Sequence, residues 1–98
     1  MSAQRERLPN RRGAELVNFE HGGRRWLATI GRFSDGRIAE IFLDAAKETP
    51  LVELAQESAI VASLALQSGC SLEMLRHALA GRSAGPLGEA LALIGARS

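Results

Sequence analysis

A chain of 98 residues with 46% apolar and 23% charged side chains has the size and composition of one small globular domain. Its apolar runs are shorter than the roughly 18–20 residues that a membrane span needs, its charged start carries no apolar signal segment, and its single cysteine, Cys70, cannot form an internal disulfide. We therefore expect no membrane span, no secretory signal and a cytoplasmic location.

The formal net charge is only +1, but the basic residues concentrate in the amino-terminal part of the chain. Phosphate-binding surfaces are built from such clusters, although surface arginines are more often simply solvated. The candidate contacts to a nucleic acid or a nucleotide phosphate are Arg5, Arg7, Arg11, Arg12, Arg24, Arg25, Arg32 and Arg37. Residues 1–12 are polar and aperiodic and contain Pro9, which predicts a flexible basic arm before a single domain at residues 13–98.

Alternating apolar residues predict three antiparallel strands between residues 15 and 43. Gly22-Gly23 marks the first turn. Asp35-Gly36 is the strongest turn signal in the chain and predicts a two-residue type I′ turn, which places Arg32 opposite Ala39.

This register predicts a sheet with apolar side chains on both faces. The inner face collects Trp26, Ala28, Ile30, Ala39, Ile41 and Leu43, joined from the first strand by Val17 and Phe19. The second face carries Leu27, Phe33, Ile38 and Phe42, which we predict to be an oligomer interface.

After Asp44 the apolar period becomes helical. Thr49 and Pro50 predict the start of a long helix that Gly69 ends. Leu51, Leu54, Ala55, Ala62 and Leu66 form one apolar stripe and Ile60, Val61 and Leu64 a second, so we expect the helix to pack on the inner face of the sheet and to bury its other flank against later helices or another subunit. Ser71 predicts the start of a second helix and Pro86 of a third. The predicted fold class is α+β: a three-stranded antiparallel meander followed by one long and two shorter helices.

The sequence contains no pattern that predicts catalysis, a cofactor or a metal. His21, His77 and Cys70 are isolated from one another, and zinc sites usually take three or four ligands. The glycine-rich segment at residues 81–88 lacks the Lys-Ser/Thr of a phosphate-binding loop. Residues 62–82 combine a helix, a glycine turn and a second helix with Arg76 and His77, which is also the arrangement of a DNA-binding helix-turn-helix.

The hairpin and the helix after it together resemble the TSCPD domain, a small module near the carboxy terminus of many vitamin B12-dependent ribonucleotide reductases. The resemblance covers about residues 24–80. It rests on two groups of positions: Asp35, Gly36, Glu40, Ile41 and Phe42 in the hairpin, and Ser63, Leu66, Gln67, Gly69 and Leu72 at the end of the helix and just after it. Ala39 stands where the family usually has glycine, and the Thr-Ser-Cys-Pro-Asp run is absent.

The resemblance implies a non-catalytic accessory module, because a reductase needs a radical-generating cofactor and several cysteines inside a large barrel. We therefore expect a protein that is not an enzyme, that binds no cofactor, and that acts through self-association, with a dimer favoured, or through a protein partner. The alternative is a nucleic-acid or nucleotide-phosphate binding protein that uses the basic arginines or residues 62–82.

Overall fold

The computed structural model describes residues 14–81 and 84–97. Its elements are the strands β1 (Glu15–His21), β2 (Arg24–Arg32) and β3 (Ile38–Ala45) and the helices α1 (Pro50–Gln67), α2 (Leu72–Ala80) and α3 (Pro86–Arg97). The strands form one antiparallel sheet in the order β1-β2-β3. This arrangement confirms the predicted α+β fold, while the predicted arm at residues 1–12 lies outside the described residues. None of the described helices is both long enough and apolar enough to cross a membrane.

The β1–β2 turn has the predicted position and length. Gly22 and Gly23 both have positive φ, at 62° and 73°, as a two-residue hairpin turn of type I′ requires. Phe19 therefore lies opposite Trp26, and the two rings stack with their centroids 6.3 Å apart.

The predicted two-residue turn between β2 and β3 is wrong, because the loop contains three residues. The Phe33 amide donates to the Arg37 carbonyl (2.8 Å), and the Gly36 amide donates to the Phe33 carbonyl (2.9 Å). Gly36 follows this tight turn with φ 96°, a conformation that glycine adopts without strain. An Asp-Gly pair supports either loop length, so the dipeptide alone did not determine the register.

The longer loop shifts the register by one residue at the end of the hairpin. Arg32 lies opposite Ile38, not opposite Ala39 as predicted, with the irregularity between Gly31 and Arg32. One residue of β3 is therefore extra, so that Ile38 and Ala39, although adjacent, are both buried. Phe33 is also buried, with 4% of its surface exposed. The prediction that Phe33 and Ile38 lie on the second face of the sheet is wrong for this reason.

Helix α1 covers the inner face of the sheet, as predicted, and packs mainly on β3. Its buried positions follow helical spacing: Val52, Ala55, Ala59, Ala62, Ser63, Leu66 and Gln67. Leu51 and Leu54, predicted to share one apolar stripe with Ala55, Ala62 and Leu66, are 49% and 64% exposed. Three alanines on the buried stripe let the helix approach the sheet more closely than leucine side chains would allow.

Helix α3 completes the core beside β1. It buries Ala90, Leu91 and Ile94, and α2 packs against it. The helices therefore all lie on one side of the sheet, and the opposite face, here called the outer face, is covered by no described element.

Candidate functional site

Two motif residues of α1, Ser63 and Gln67, form hydrogen bonds with the edge strand β3. The Ser63 hydroxyl accepts a hydrogen bond from the Ile41 amide (2.9 Å). Its single hydrogen is shared between two acceptors, the carbonyl oxygens of Ile41 and Ala59, each 2.9 Å from the hydroxyl oxygen. Gln67 Nε2 donates to the Ala39 carbonyl (3.0 Å). Ser63 and Gln67 are 5% and 7% exposed, so both are buried polar groups whose bonds join α1 to β3. Their role in this chain is structural.

The hairpin motif positions shape the loop between β2 and β3. The Asp35 carboxylate accepts from the backbone amide of Arg37 (3.0 Å) and from its Nε (2.7 Å). These two bonds lower the pKa of Asp35 below its ordinary value. The Arg37 guanidinium also lies 4.5 Å above the centre of the Phe33 ring. The loop is thus held by contacts among its own residues.

The remaining motif glycine and glutamate have steric roles. Gly69, with φ 106°, lets the chain leave α1, and the next amide, of Cys70, donates to the Ala65 carbonyl (2.9 Å). The Glu40 side chain lies over Gly31, where any added Cβ would approach it to 2.8 Å.

The outer face presents a row of side chains that crosses all three strands. Leu16 lies opposite Thr29, and Thr29 lies opposite Phe42. Leu16 is 59% exposed and Phe42 is 45% exposed, with the half-buried Leu27 two residues along β2 from Thr29. Of the four residues predicted to form an oligomer interface, Leu27 and Phe42 lie on this face, whereas Phe33 and Ile38 lie in the core.

The outer face includes one residue that the sequence analysis did not single out. Leu16 directly precedes Val17, which faces inward, and the alternation of side chains along a strand therefore places Leu16 outward. The signal was its position opposite Thr29 in the register set by the Gly22-Gly23 turn.

A second apolar surface lies on α1, on the side away from the sheet. Its exposed residues are Leu51, Leu54, Ile60, Val61 and Leu64, with Met74 of α2 also exposed. The helix has Glu53 and Glu57 on its exposed surface and no basic residue. The predicted second apolar stripe of this helix is thus exposed in the single chain.

The four described candidate arginines do not form one cluster. Arg24 and Arg25 begin β2 and Arg32 ends it, a separation on the order of 25 Å for an extended strand. Arg32 donates to Glu15 (2.6 Å) and to the Gly36 carbonyl (2.7 Å), and its bond to Glu15 raises the pKa of Arg32.

Arg37 is bound by Asp35, as described above. The other four candidates, Arg5, Arg7, Arg11 and Arg12, lie outside the described residues. Among the arginines that the structure describes, the candidate phosphate contacts therefore separate into one pair at the β1–β2 turn and two ion-paired side chains at the opposite end of the sheet.

The helix-turn-helix candidate at residues 62–82 has the predicted helices, but the side chain of Arg76 forms contacts within its own chain. Arg76 Nη1 donates to Glu73 (2.6 Å). Its guanidinium also lies against Gly95 of α3, where an added Cβ would come within 2.6 Å of it. A recognition helix must present its polar side chains to the DNA groove, whereas this arginine packs between two helices of its own chain.

The residues with reactive side chains remain apart. Cys70 Sγ lies 3.5 Å from Met74 Sδ, and His21 Nδ1 lies 3.4 Å from a carboxylate oxygen of Glu89. Within residues 14–81 and 84–97, no group of three or more His, Cys, Asp or Glu residues is arranged to hold a metal ion.

Comparison with curated proteins finds similarity to short segments of large enzymes. The chain is 42% identical over 74 residues to a vitamin B12-dependent ribonucleotide reductase of Agrobacterium fabrum. It is 37% identical over 71 residues to the protein of that name in Bradyrhizobium diazoefficiens. These matches cover 74% and 71% of this chain, but the chain spans only 6% of the length of each reductase. No family model matches the chain, and no solved structure is significantly similar to it.

Proposed function

We propose that this chain is a non-catalytic accessory module of the TSCPD type, and that it acts by associating with itself or with a macromolecular partner. The similarity to a small segment of two vitamin B12-dependent ribonucleotide reductases supports a reductase-derived domain. The finer assignment rests on the motif positions of the hairpin and of α1, which in this chain hold the loop and the edge of β3 together.

The composition of the chain supports a role without reductase chemistry of its own. Reduction of a ribonucleotide requires several cysteines acting together, and this sequence has one. That cysteine, Cys70, contacts Met74 beside the start of α2. The motif residues Ser63 and Gln67 are buried and bond backbone atoms of β3, which supports a role in the fold for both.

The observation that carries the proposal is the open outer face. A three-stranded sheet normally buries one face, and a row of apolar side chains on the other face is typical of a contact surface. Here Leu16 and Phe42 flank Thr29 across the three strands, with Leu27 beside them. Burying such side chains against a partner removes apolar area from water, which favours association.

The Phe42→Glu variant tests this surface. Phe42 is 45% exposed, so we expect the variant to fold and to unfold at nearly the same temperature as the wild type. We expect a lower particle mass by light scattering at high micromolar concentration, because a buried, unpaired carboxylate opposes contact through the outer face. Met74→Glu is the matched control, since Met74 is exposed on α2 and its replacement leaves the outer face intact. An unchanged mass for Phe42→Glu would contradict self-association through this face.

Binding of a nucleic acid or a nucleotide phosphate is the second candidate function. It is favoured by Arg24 and Arg25, consecutive residues beside the β1–β2 turn that form no ion pair with any described residue. Their side chains extend from opposite faces of β2, so each offers a separate positive charge to a phosphate at this end of the sheet, and Arg5, Arg7, Arg11 and Arg12 are the other basic candidates.

A further inference from the structure

The two edges of the sheet differ in whether another part of the described chain bonds to their backbone. β1 and β3 are the edge strands. At β3, the side chains of Ser63 and Gln67 bond to the backbone of Ile41 and Ala39. Helix α1 therefore occupies the positions that an added strand would need, and the sheet cannot extend on this side.

The bonds to Ile41 also establish which backbone groups of β1 point outward. The Ile41 amide and carbonyl both face α1, and because successive residues of a strand alternate, those of Phe42 face β2 and bond Thr29, its partner in the register. The amide and carbonyl of Thr29 are thus turned away from β1. Leu16, which lies opposite Thr29, therefore directs its amide and carbonyl out of the sheet, and Asn18 does the same two residues later.

The outward edge of β1 lacks most of the features that usually block strand addition, although it carries the charged residues Glu15 and Glu20. The strand has seven residues, contains no proline or lysine, and pairs with β2 without a bulge. Leu16, Asn18 and Glu20 are exposed. No described residue forms a hydrogen bond with their outward backbone groups.

We propose that this edge binds the same edge of a second copy of the chain, antiparallel, about a two-fold axis at Asn18. The proposal rests on the self-association included in the proposed function and specifies its geometry. The two sheets would become one sheet of six strands. Three outward-facing residues on each copy would form about six backbone hydrogen bonds across the axis.

The side chains of β1 are complementary to themselves in this arrangement. On the outer face, Asn18 meets Asn18 of the other copy, where two amides can bond, and Leu16 lies opposite Glu20, so that no like charges are opposed. On the inner face, Val17 lies opposite Phe19, which joins the two apolar cores. A strand whose side chains are complementary to those of a symmetry-related copy on both faces of the sheet is suited to a two-fold dimer.

Pairing at this edge would also enlarge the outer face. The Leu16–Thr29–Phe42 row of each copy would lie on the same side of one continuous sheet, which doubles the apolar surface and leaves it open. The edge contact and the outer-face contact are thus separate, and each can be removed without the other.

Asn18→Pro tests the edge contact in the full chain. Proline removes one outward amide and does not disturb the bonds between β1 and β2, because the Asn18 amide takes no part in them. We expect the particle mass at a fixed high micromolar concentration to fall twofold. Asn18→Ala is the matched control, because it removes the side chain and keeps the amide, and we expect it to keep the mass of the wild type.

Hydrogen exchange followed by NMR provides a second measurement on the unmodified protein. The Leu16 and Glu20 amides should be protected from exchange, and their protection should increase with protein concentration and persist in Phe42→Glu. A multimeric wild type with unprotected Leu16 and Glu20 amides and an unchanged mass in Asn18→Pro would overturn the edge contact alone. A monomeric wild type at the same concentration would overturn the edge contact and self-association together.

Discussion

Ser63 and Gln67 are polar residues on the buried side of an otherwise apolar stripe. Burial of a hydroxyl or an amide is unfavourable unless its hydrogen bonds are made inside the protein. Here both side chains bond the backbone of β3, which has no neighbouring strand on that side. Ser63 and Gln67 therefore provide hydrogen-bond partners for backbone groups of β3 and attach α1 to that strand.

We expect Ser63→Ala to lower the free energy of unfolding by about 1–3 kcal/mol, because it leaves the buried amide and carbonyl of Ile41 without partners. Ser58→Ala is the control. The Ser58 hydroxyl donates only to the Ala55 carbonyl of its own helix, so its loss should change the free energy by no more than about 0.5 kcal/mol. Urea denaturation of the two variants measures the difference, and equal effects would contradict the structural role of Ser63.

Among the elements, the hairpin of β2 and β3 is held by a small electrostatic cluster at its loop. Asp35 bonds both the amide and the guanidinium of Arg37, and Arg37 also covers the Phe33 ring. A lowered pKa for Asp35 means that the folded state favours the carboxylate. The stabilisation is thus present above the pKa of Asp35 in the unfolded chain and is lost as the pH falls through the lower pKa of the folded chain.

We expect the side-chain carboxyl of Asp35 to titrate below the ordinary range of an aspartate when followed by NMR. In Arg37→Gln its pKa should rise towards the ordinary value, because the charged hydrogen bond is removed. Arg25→Gln, which removes an arginine at the other end of β2, should leave the Asp35 titration unchanged. An Asp35 pKa that is insensitive to Arg37 would show that this ion pair does not form in solution.

At the scale of the whole molecule, the charge is divided between the ends of the sheet. Arg32 and Arg37 are engaged by Glu15 and Asp35, whereas Arg24 and Arg25 form no ion pair with a described residue. A contact with phosphates would therefore centre on the β1–β2 turn.

Fluorescence anisotropy of labelled single-stranded and duplex DNA tests this second function. If the basic residues bind phosphates, the affinity should fall steeply between low and physiological salt, because bound counterions are released. Replacing Arg24 and Arg25 by glutamine should weaken binding, and replacing Arg5, Arg7, Arg11 and Arg12 by glutamine in the full chain should weaken it further. Arg76→Gln is the control, since Arg76 packs against α3. The absence of binding at low salt would contradict the second function.

The element order and much of the packing could be predicted because their signals are local. Paired glycines allow positive φ at both positions of a two-residue turn, and Thr49 followed by Pro50 begins a helix. Helical spacing of the apolar residues was enough to predict that α1 packs on the sheet, although the predicted stripe contained the exposed residues Leu51 and Leu54 and missed the buried Val52.

The tertiary structure alone decided the end of the hairpin and the state of the two sheet edges. The Asp35-Gly36 pair allows a loop of two or three residues, and packing selects the three-residue loop that buries Phe33 and Ile38. Ser63 reaches Ile41 across 22 positions of sequence. No local pattern encodes such a contact, because it exists only once the helix has docked. The sequence by itself therefore determined which elements form, and the docking of α1 determined which edge of the sheet is closed and which is left free.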